Sequence, residues 1–382
     1  MGTSAPLHRH IRLVRAAIVL LILAGCTGAA DPAASTSGGP SPSDQATAPI
    51  ATGQFSPSLS PSPSPTPLSL PAIDLTAPQV WFAPNMGSVD FPELFSGPDR
   101  WPTARDRVDV FQFYGNTVSG DPYDIGGDNV LDTFVGVDAF GQLRDWGIAV
   151  AIEAGVIKWF ACGHGSWAEY ANRGITNVEA NGGRVSFVAM DEPLLGSQLV
   201  EDGVGCDFTL AEAAAEVAAF VAAVQAEHPE VKVGTIETIP PQTVDEVADW
   251  IIALEAAGFT PAFLHLDVEI ADGIGDRGFV ADLRGLRDFS EDRGIPFGLI
   301  LTADWQVATS DRTYHESVVE WARAINRGMG RPTHIVFQSW MGPAASGLHE
   351  MPRNLPDDDP GTHSHTRLIL DGLDVFATAN AS

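Results

Sequence analysis

Eight short β-rich runs recur from about residue 78 onward, with helical stretches between the later ones, and this alternation constrains the fold more than any other feature of the chain. The expected strands are Gln79–Ala83, Val108–Tyr114, Gly147–Glu153, Val185–Met190, Val231–Glu237, Ala262–Glu269, Pro296–Thr302 and His334–Ser339. Strands that alternate with helices pair in parallel, since each helix carries the chain back across the sheet face. Thr209-Leu-Ala-Glu212 and Thr243-Val-Asp-Glu246 have the capping-box pattern that opens helices. Gly258, Gly294 and Gly328 follow helical runs and suit a left-handed C-cap. A last helix from Thr366 to Ala377 completes eight βα units. Eight units fit one closed (β/α)8 barrel, with an open doubly wound sheet as the alternative. No Gly-x-Gly-x-x-Gly follows the first strand and no Gly-Lys-Ser/Thr occurs anywhere, which counts against nucleotide-binding open sheets.

The barrel is expected over residues 76–380, behind two segments of different character. Residues 1–25 read as an export signal: Arg9, Arg12 and Arg15 precede the apolar run Ala16–Ala24. That run is too short to span a bilayer, where a helix needs ~20 apolar residues. It ends in Leu23-Ala24-Gly25-Cys26, which looks like a lipobox, with Cys26 the lipidation site. Two acyl chains on Cys26 would anchor the mature protein on the outer face of the cell membrane. Residues 26–75 are rich in Ser, Pro, Thr and Ala, clearest in Ser60–Pro65, and have too few apolar side chains to offset ordering entropy. They are expected to form a disordered tether. Cys162 and Cys206 then remain as an even pair in an oxidising compartment, where a disulfide is expected and two buried thiols are the alternative.

The chain carries a net charge of −28, which becomes −31 once the three signal arginines are removed. Such a surface repels phosphate backbones and anionic headgroups, so no nucleic acid partner is expected and the membrane is met only through the lipid. A monomer is expected.

In a (β/α)8 barrel, chemistry sits at the C-terminal strand ends. Polar residues gather there in this chain: Asn85, Gln112, Tyr114, Glu153, Asp191-Glu192, Glu237, Asp267, Glu269, Asp304 and Gln338. Period-two alternation puts His265, Asp267 and Glu269 on one face of the sixth strand and Leu264, Leu266 and Val268 on the other. The aliphatic set is expected to pack on the helices, leaving the polar set to line the mouth. The same reasoning places Glu153 with Ala149 and Ala151, and Glu237 with Thr235, facing inward. Any one of these carboxylates could simply cap a helix or bind an arginine. Crowded together, they repel and raise one another's proton affinity, which marks a site. Glycosidic cleavage needs one protonated and one ionised carboxyl group, ~5 Å apart in retaining enzymes and ~6.5–9.5 Å apart in inverting ones.

The fourth-strand sequence Phe187-Val-Ala-Met-Asp-Glu-Pro193 resembles the Asn-Glu-Pro ending of that strand in clan A glycoside hydrolases. The resemblance implies that Glu192 is the general acid/base, and Trp340 looks like the clan's eighth-strand tryptophan that floors the sugar subsite. It covers the architecture and one tripeptide. Asp191 stands where the clan has Asn, and Leu301-Thr-Ala-Asp-Trp305 offers only Asp304 where the clan has its nucleophilic Glu. The expected catalytic set is therefore Glu192 as acid with Glu237 or Asp267 as partner, ahead of Asp304. The remaining polar residues and Trp340 are expected to bind a carbohydrate substrate.

Trp81, Trp159, Trp167, Trp305 and Trp340 near strand ends fit sugar subsites or a large core. The segment from Met341 to His365 reads as a long eighth loop over the mouth. No cofactor is expected, and no Gly-x-Ser-x-Gly elbow supports serine chemistry. Two other readings stay open: a metal-dependent barrel enzyme using His265, Asp267, Glu269 and Glu237, or a surface glycan-binding protein without catalysis.

Overall fold

The computed structural model describes residues 73–85, 88, 90–120, 130–158, 162–201, 204–268, 277–303, 308–339 and 353–377. The expected signal, the lipobox and residues 26–72 of the expected tether fall outside these residues; the end of the tether is corrected, since Leu75 is buried inside the barrel with Ile73 packed against the same cluster. Eight parallel strands close into a barrel: β1 (Gln79–Ala83), β2 (Val110–Tyr114), β3 (Ala149–Ala154), β4 (Val185–Asp191), β5 (Lys232–Ile239), β6 (Leu264–Val268), β7 (Phe297–Leu301) and β8 (His334–Gln338). Each pairs with its neighbours in sequence, and β1 closes on β8 with Ala83 beside Gln338. The chain is therefore a (β/α)8 barrel. A short antiparallel hairpin, Val200–Glu201 with Val204–Gly205, lies between the short helix Pro193–Gln198 that follows β4 and the helix Leu210–Glu227. No helix among the described residues is long and apolar enough to cross a membrane.

Helix starts follow their caps. Thr209 and Thr243 both close reciprocal capping boxes, with Glu212 and Glu246. A third box pairs Ser310 with Thr313 and opens the helix Asp311–Met329. Gly258 and Gly294 take the expected positive φ, but the third cap is corrected: Gly330, at φ 78°, ends that helix rather than Gly328. Gly328 lies inside the helix, where a Cβ would stand 2.1 Å from Val280, so its smallness lets two helices approach.

The core has two layers. Leu264, Leu266 and Val268 pack outward with the helices, as their alternation implies. Inside the barrel lie Leu75, Trp81, Val110, Ala149, Ala151, Phe187, Ala189, Ile236, Phe263, Ile300 and Val336. Trp81 is the centre of this layer, with its ring 4.7 Å from His265 and 5.0 Å from Phe263. It fills the barrel and offers no sugar platform. The floor also buries two histidines: His265 Nε2 is 2.9 Å from His334 Nδ1, and His334 Nε2 is 2.8 Å from the Leu75 carbonyl oxygen. Because that carbonyl only accepts, His334 carries its proton on Nε2 and takes the His265 N–H at Nδ1. Burial holds both imidazoles below their ordinary pKa, so the pair is neutral.

Two inward glycines make room for these rings. A Cβ on Gly234 would stand 2.4 Å from Phe263, and one on Gly298 would stand 2.5 Å from His265 Cδ2 and 2.8 Å from His334 Cβ. Gly298→Ala is accordingly expected to lower stability by about 1–3 kcal/mol through overpacking. A urea denaturation midpoint equal to that of the parent would contradict this packing.

Candidate active site

Residues in parallel register share a face, so the pairings identify what lines the upper barrel. Gln112 pairs with Ala151 and Tyr114 with Glu153. Asp191 pairs with Ile236, and Thr238 with Asp267. Ala151 and Ile236 belong to the interior layer. Gln112, Tyr114, Glu153, Asp191, Thr238 and Asp267 therefore point inward above it, together with Gln338 beside Ala83.

Hydrogen bonds tie much of this ring together. Glu153 Oε2 accepts from Gln112 Nε2 and from Gln338 Nε2, both at 2.7 Å. Tyr114 donates its hydroxyl to the Ser339 carbonyl at 2.8 Å, and Tyr314, from the helix before β8, donates to the Gln338 carbonyl at 2.8 Å. β2, β3 and β8 are thus stitched around one carboxyl group. Asn85 is buried at the end of β1. Residues 353–365 pack beside this region, where Asp90 accepts from the Asn354 and Leu355 backbone N–H groups and Asp357 from that of Ala104.

The end of β4 departs from strand geometry. By alternation Glu192 would point away from the mouth, opposite to Asp191. Instead Glu192 has φ 48° and ψ 50°, a left-handed conformation that costs a non-glycine residue about 1–2 kcal/mol. Its N–H bonds the Ile236 carbonyl, and its own carbonyl accepts from Gly196 at the next turn. This turn re-aims the carboxyl, which is half-buried and lies within electrostatic reach of Asp191 and Lys158, and also of Glu153. Lys158 Nζ sits 2.5 Å from Asp191 Oδ2.

Burial is the main reason that Glu192 is pushed up to about 7, with the Asp191 charge adding to it and Lys158 opposing it. Glu153 rises further, to about 8, again by burial first and then by Asp191; its Gln338 hydrogen bond only partly offsets this. Burial and the nearby Glu153 also hold the Tyr114 phenol well above its usual range. The mouth therefore holds carboxyl groups that stay protonated near neutral pH next to a salt-bridged Asp191.

Glu237 is corrected. In β5 it is Ile236 that faces the barrel interior, so Thr235 and Glu237 face the helices. Glu237 is fully buried there: Oε1 accepts from Trp250 Nε1 at 2.6 Å and Thr235 Oγ1 at 2.7 Å, and Oε2 from the Leu194 N–H at 3.3 Å. Burial pushes it up to about 8. It braces the turn that carries Glu192 and does not line the mouth. The proposed metal set also comes apart, because His265 lies in the barrel floor and Glu237 lies outside the barrel. Among the described residues, the one cluster able to hold a metal ion is Glu179, His228 and Glu230, which lies apart from the mouth.

Glu269, Asp304, Trp305, Trp340 and Trp159, with most of the eighth loop, lie outside the described residues. Trp167 is half-buried, with its ring packed over Gly155 just after β3. Cys162 and Cys206 are joined by a disulfide, with Cα atoms 5.2 Å apart. The sequence reading missed Lys158 and Tyr314. A signal for the first existed: Lys158 is one of only two lysines in a chain whose other cations are arginines, and it follows Glu153 closely. Tyr314 carries no such signal, since a helical tyrosine reads as ordinary core.

No protein-family model and no curated protein matches the sequence. Among solved structures, the chain is similar to a GH5_18 protein from Streptomyces cattleya in complex with GlcNAc, at 9% identity and TM-score 0.49, covering 79% of this chain and 81% of that one. It is also similar to a modular endo-β-1,4-mannanase from Cellulomonas fimi, at 13% identity and TM-score 0.49, covering 79% and 70%. A 7,8-dihydropteroate synthase from Vibrio fischeri is similar too, at 12% identity and TM-score 0.44, covering 81% and 95%. The likeness is one of barrel shape, shared by proteins of different chemistry.

Proposed function

We propose that this barrel hydrolyses glycosidic bonds, with Glu192 as the proton-donating carboxyl group and an ionised carboxylate across the mouth as its partner. The observation that carries the reading is the placement of Glu192. It sits at the C-terminal end of β4 in a strained left-handed turn, half-buried, and is pushed up to about 7 beside a second carboxyl group. A general acid works best when its pKa lies near the operating pH, and burial next to like charge is how a carboxyl group gets there. Asp267, which faces inward from β6, is the partner this reading favours once Glu237 is removed from the mouth. Gln112, Gln338, Tyr114 and Glu153 supply amide, hydroxyl and carboxyl groups of the kind that bind sugar hydroxyls.

The test is a glycan-library hydrolysis screen on the full chain beside its Glu192→Gln variant. Turnover of no glycan by the parent would remove the proposal.

The same reading places the protein outside the cell, held by lipid on Cys26 and acting as a monomer on an extracellular glycan. Cys26→Ala is expected to move the protein from the detergent phase to the aqueous phase on extraction. Mass spectrometry of the parent N-terminus should find a diacylglyceryl cysteine, and an unmodified Cys26 would sink the anchor.

A further inference from the structure

We propose that Lys158 is a positioning residue of the mouth: its ammonium, delivered by a clamped loop, pairs with Asp191 and so sets the charge that Glu192 meets as it takes up and gives its proton. This rests on the glycosidase reading and adds to it a residue that acts through its neighbours.

The loop after β3 is fixed from two sides. Val156 and Ile157 are fully buried, and the Pro193–Gln198 turn lies so close that a Cβ on Gly196 would stand 1.9 Å from the Ile157 carbonyl oxygen. The Cys162–Cys206 disulfide closes just beyond, with Cys206 Sγ 3.3 Å from the Lys158 carbonyl oxygen. The backbone that carries Lys158 is thus wedged against the same turn that aims Glu192.

From that backbone the ammonium reaches Asp191 Oδ2 at 2.5 Å, with its side chain only 18% exposed. Burial disfavours its charge, but Asp191, Glu192 and Glu153 together outweigh burial, so Lys158 stays a cation. Three carboxyl groups therefore compete for one ammonium, and contact distance gives it to Asp191. Contact with the ammonium sets Asp191 apart from Glu192 and Glu153, whose proton affinity burial raises and Lys158 opposes. Among the described residues, Tyr114 also feels Glu153 and Asp191, and Glu237 feels Glu192 from behind.

The test is an infrared pH titration of the protonated-carboxyl band of the full chain, with the Glu192 contribution assigned by subtracting Glu192→Gln. Lys158→Met is expected to raise the Glu192 midpoint by about one pH unit or more, while Lys158→Arg, which keeps the charge, leaves it within about half a unit. Asp191→Asn should do the opposite and lower the midpoint, since it removes a negative neighbour and frees the ammonium. This second variant also reads the inference if Lys158→Met fails to fold. A Glu192 midpoint unmoved in Lys158→Met, or unmoved or raised in Asp191→Asn, overturns the proposal. These shifts are read without turnover. Shifts without hydrolysis of any glycan would therefore remove the glycosidase reading alone, and hydrolysis without shifts would remove the role of Lys158 alone.

Discussion

Glu192→Gln is expected to lower kcat on the hydrolysed glycan by about 10²–10⁴-fold, the range contributed by a positioned general acid. Glutamine keeps the volume and the left-handed turn, which is set by backbone bonds to Ile236 and Gly196, so folding should be unchanged. What it loses is a proton to give to the leaving oxygen. In the parent, activity should fall as pH rises through about 7, where Glu192 ionises and can no longer donate. That alkaline limb is expected to vanish from whatever residual activity the variant retains. Parent-like turnover by Glu192→Gln would assign the acid elsewhere.

The second large effect concerns stability. Glu237→Ala should destabilise the fold by about 3–5 kcal/mol, because it leaves a cavity and strands the buried donors of Trp250, Thr235 and Leu194. The urea midpoint measures it, and a loss below about 1 kcal/mol would contradict the bracing role. A pH dependence follows from the same burial. Glu237 binds its proton up to about 8 when folded, against an ordinary value of 4.5. Between these values the folded chain holds more protons than the unfolded one. The stability from this group is therefore fully present below about 4.5 and is lost as pH rises through about 8. Glu237→Gln, which does not titrate, should flatten that part of the slope in thermal melts taken across this window.

These two glutamates also separate what could be read early from what could not. Alternation worked for β6, where Leu264, Leu266 and Val268 form an unbroken apolar face and leave Asp267 to the mouth. It failed for β5 because both faces of that strand are buried. A strand buried on both sides gives parity no polar side to lock onto, and Glu237 found its partners in the helix layer. At Glu192 the fault was different. The tripeptide pointed to Glu192, but strict alternation would have turned it outward, and one left-handed residue breaks that alternation.

The sequence by itself determined the barrel and the level at which polar groups gather, because strand and helix periods, caps and strand ends are local properties repeated eight times. Which carboxyl group faces the mouth, which is sequestered behind it, and which holds the lysine were decided only by the closed barrel. Proton affinity and orientation depend on groups far apart in the chain that packing brings within a few ångströms, and no local pattern records those distances.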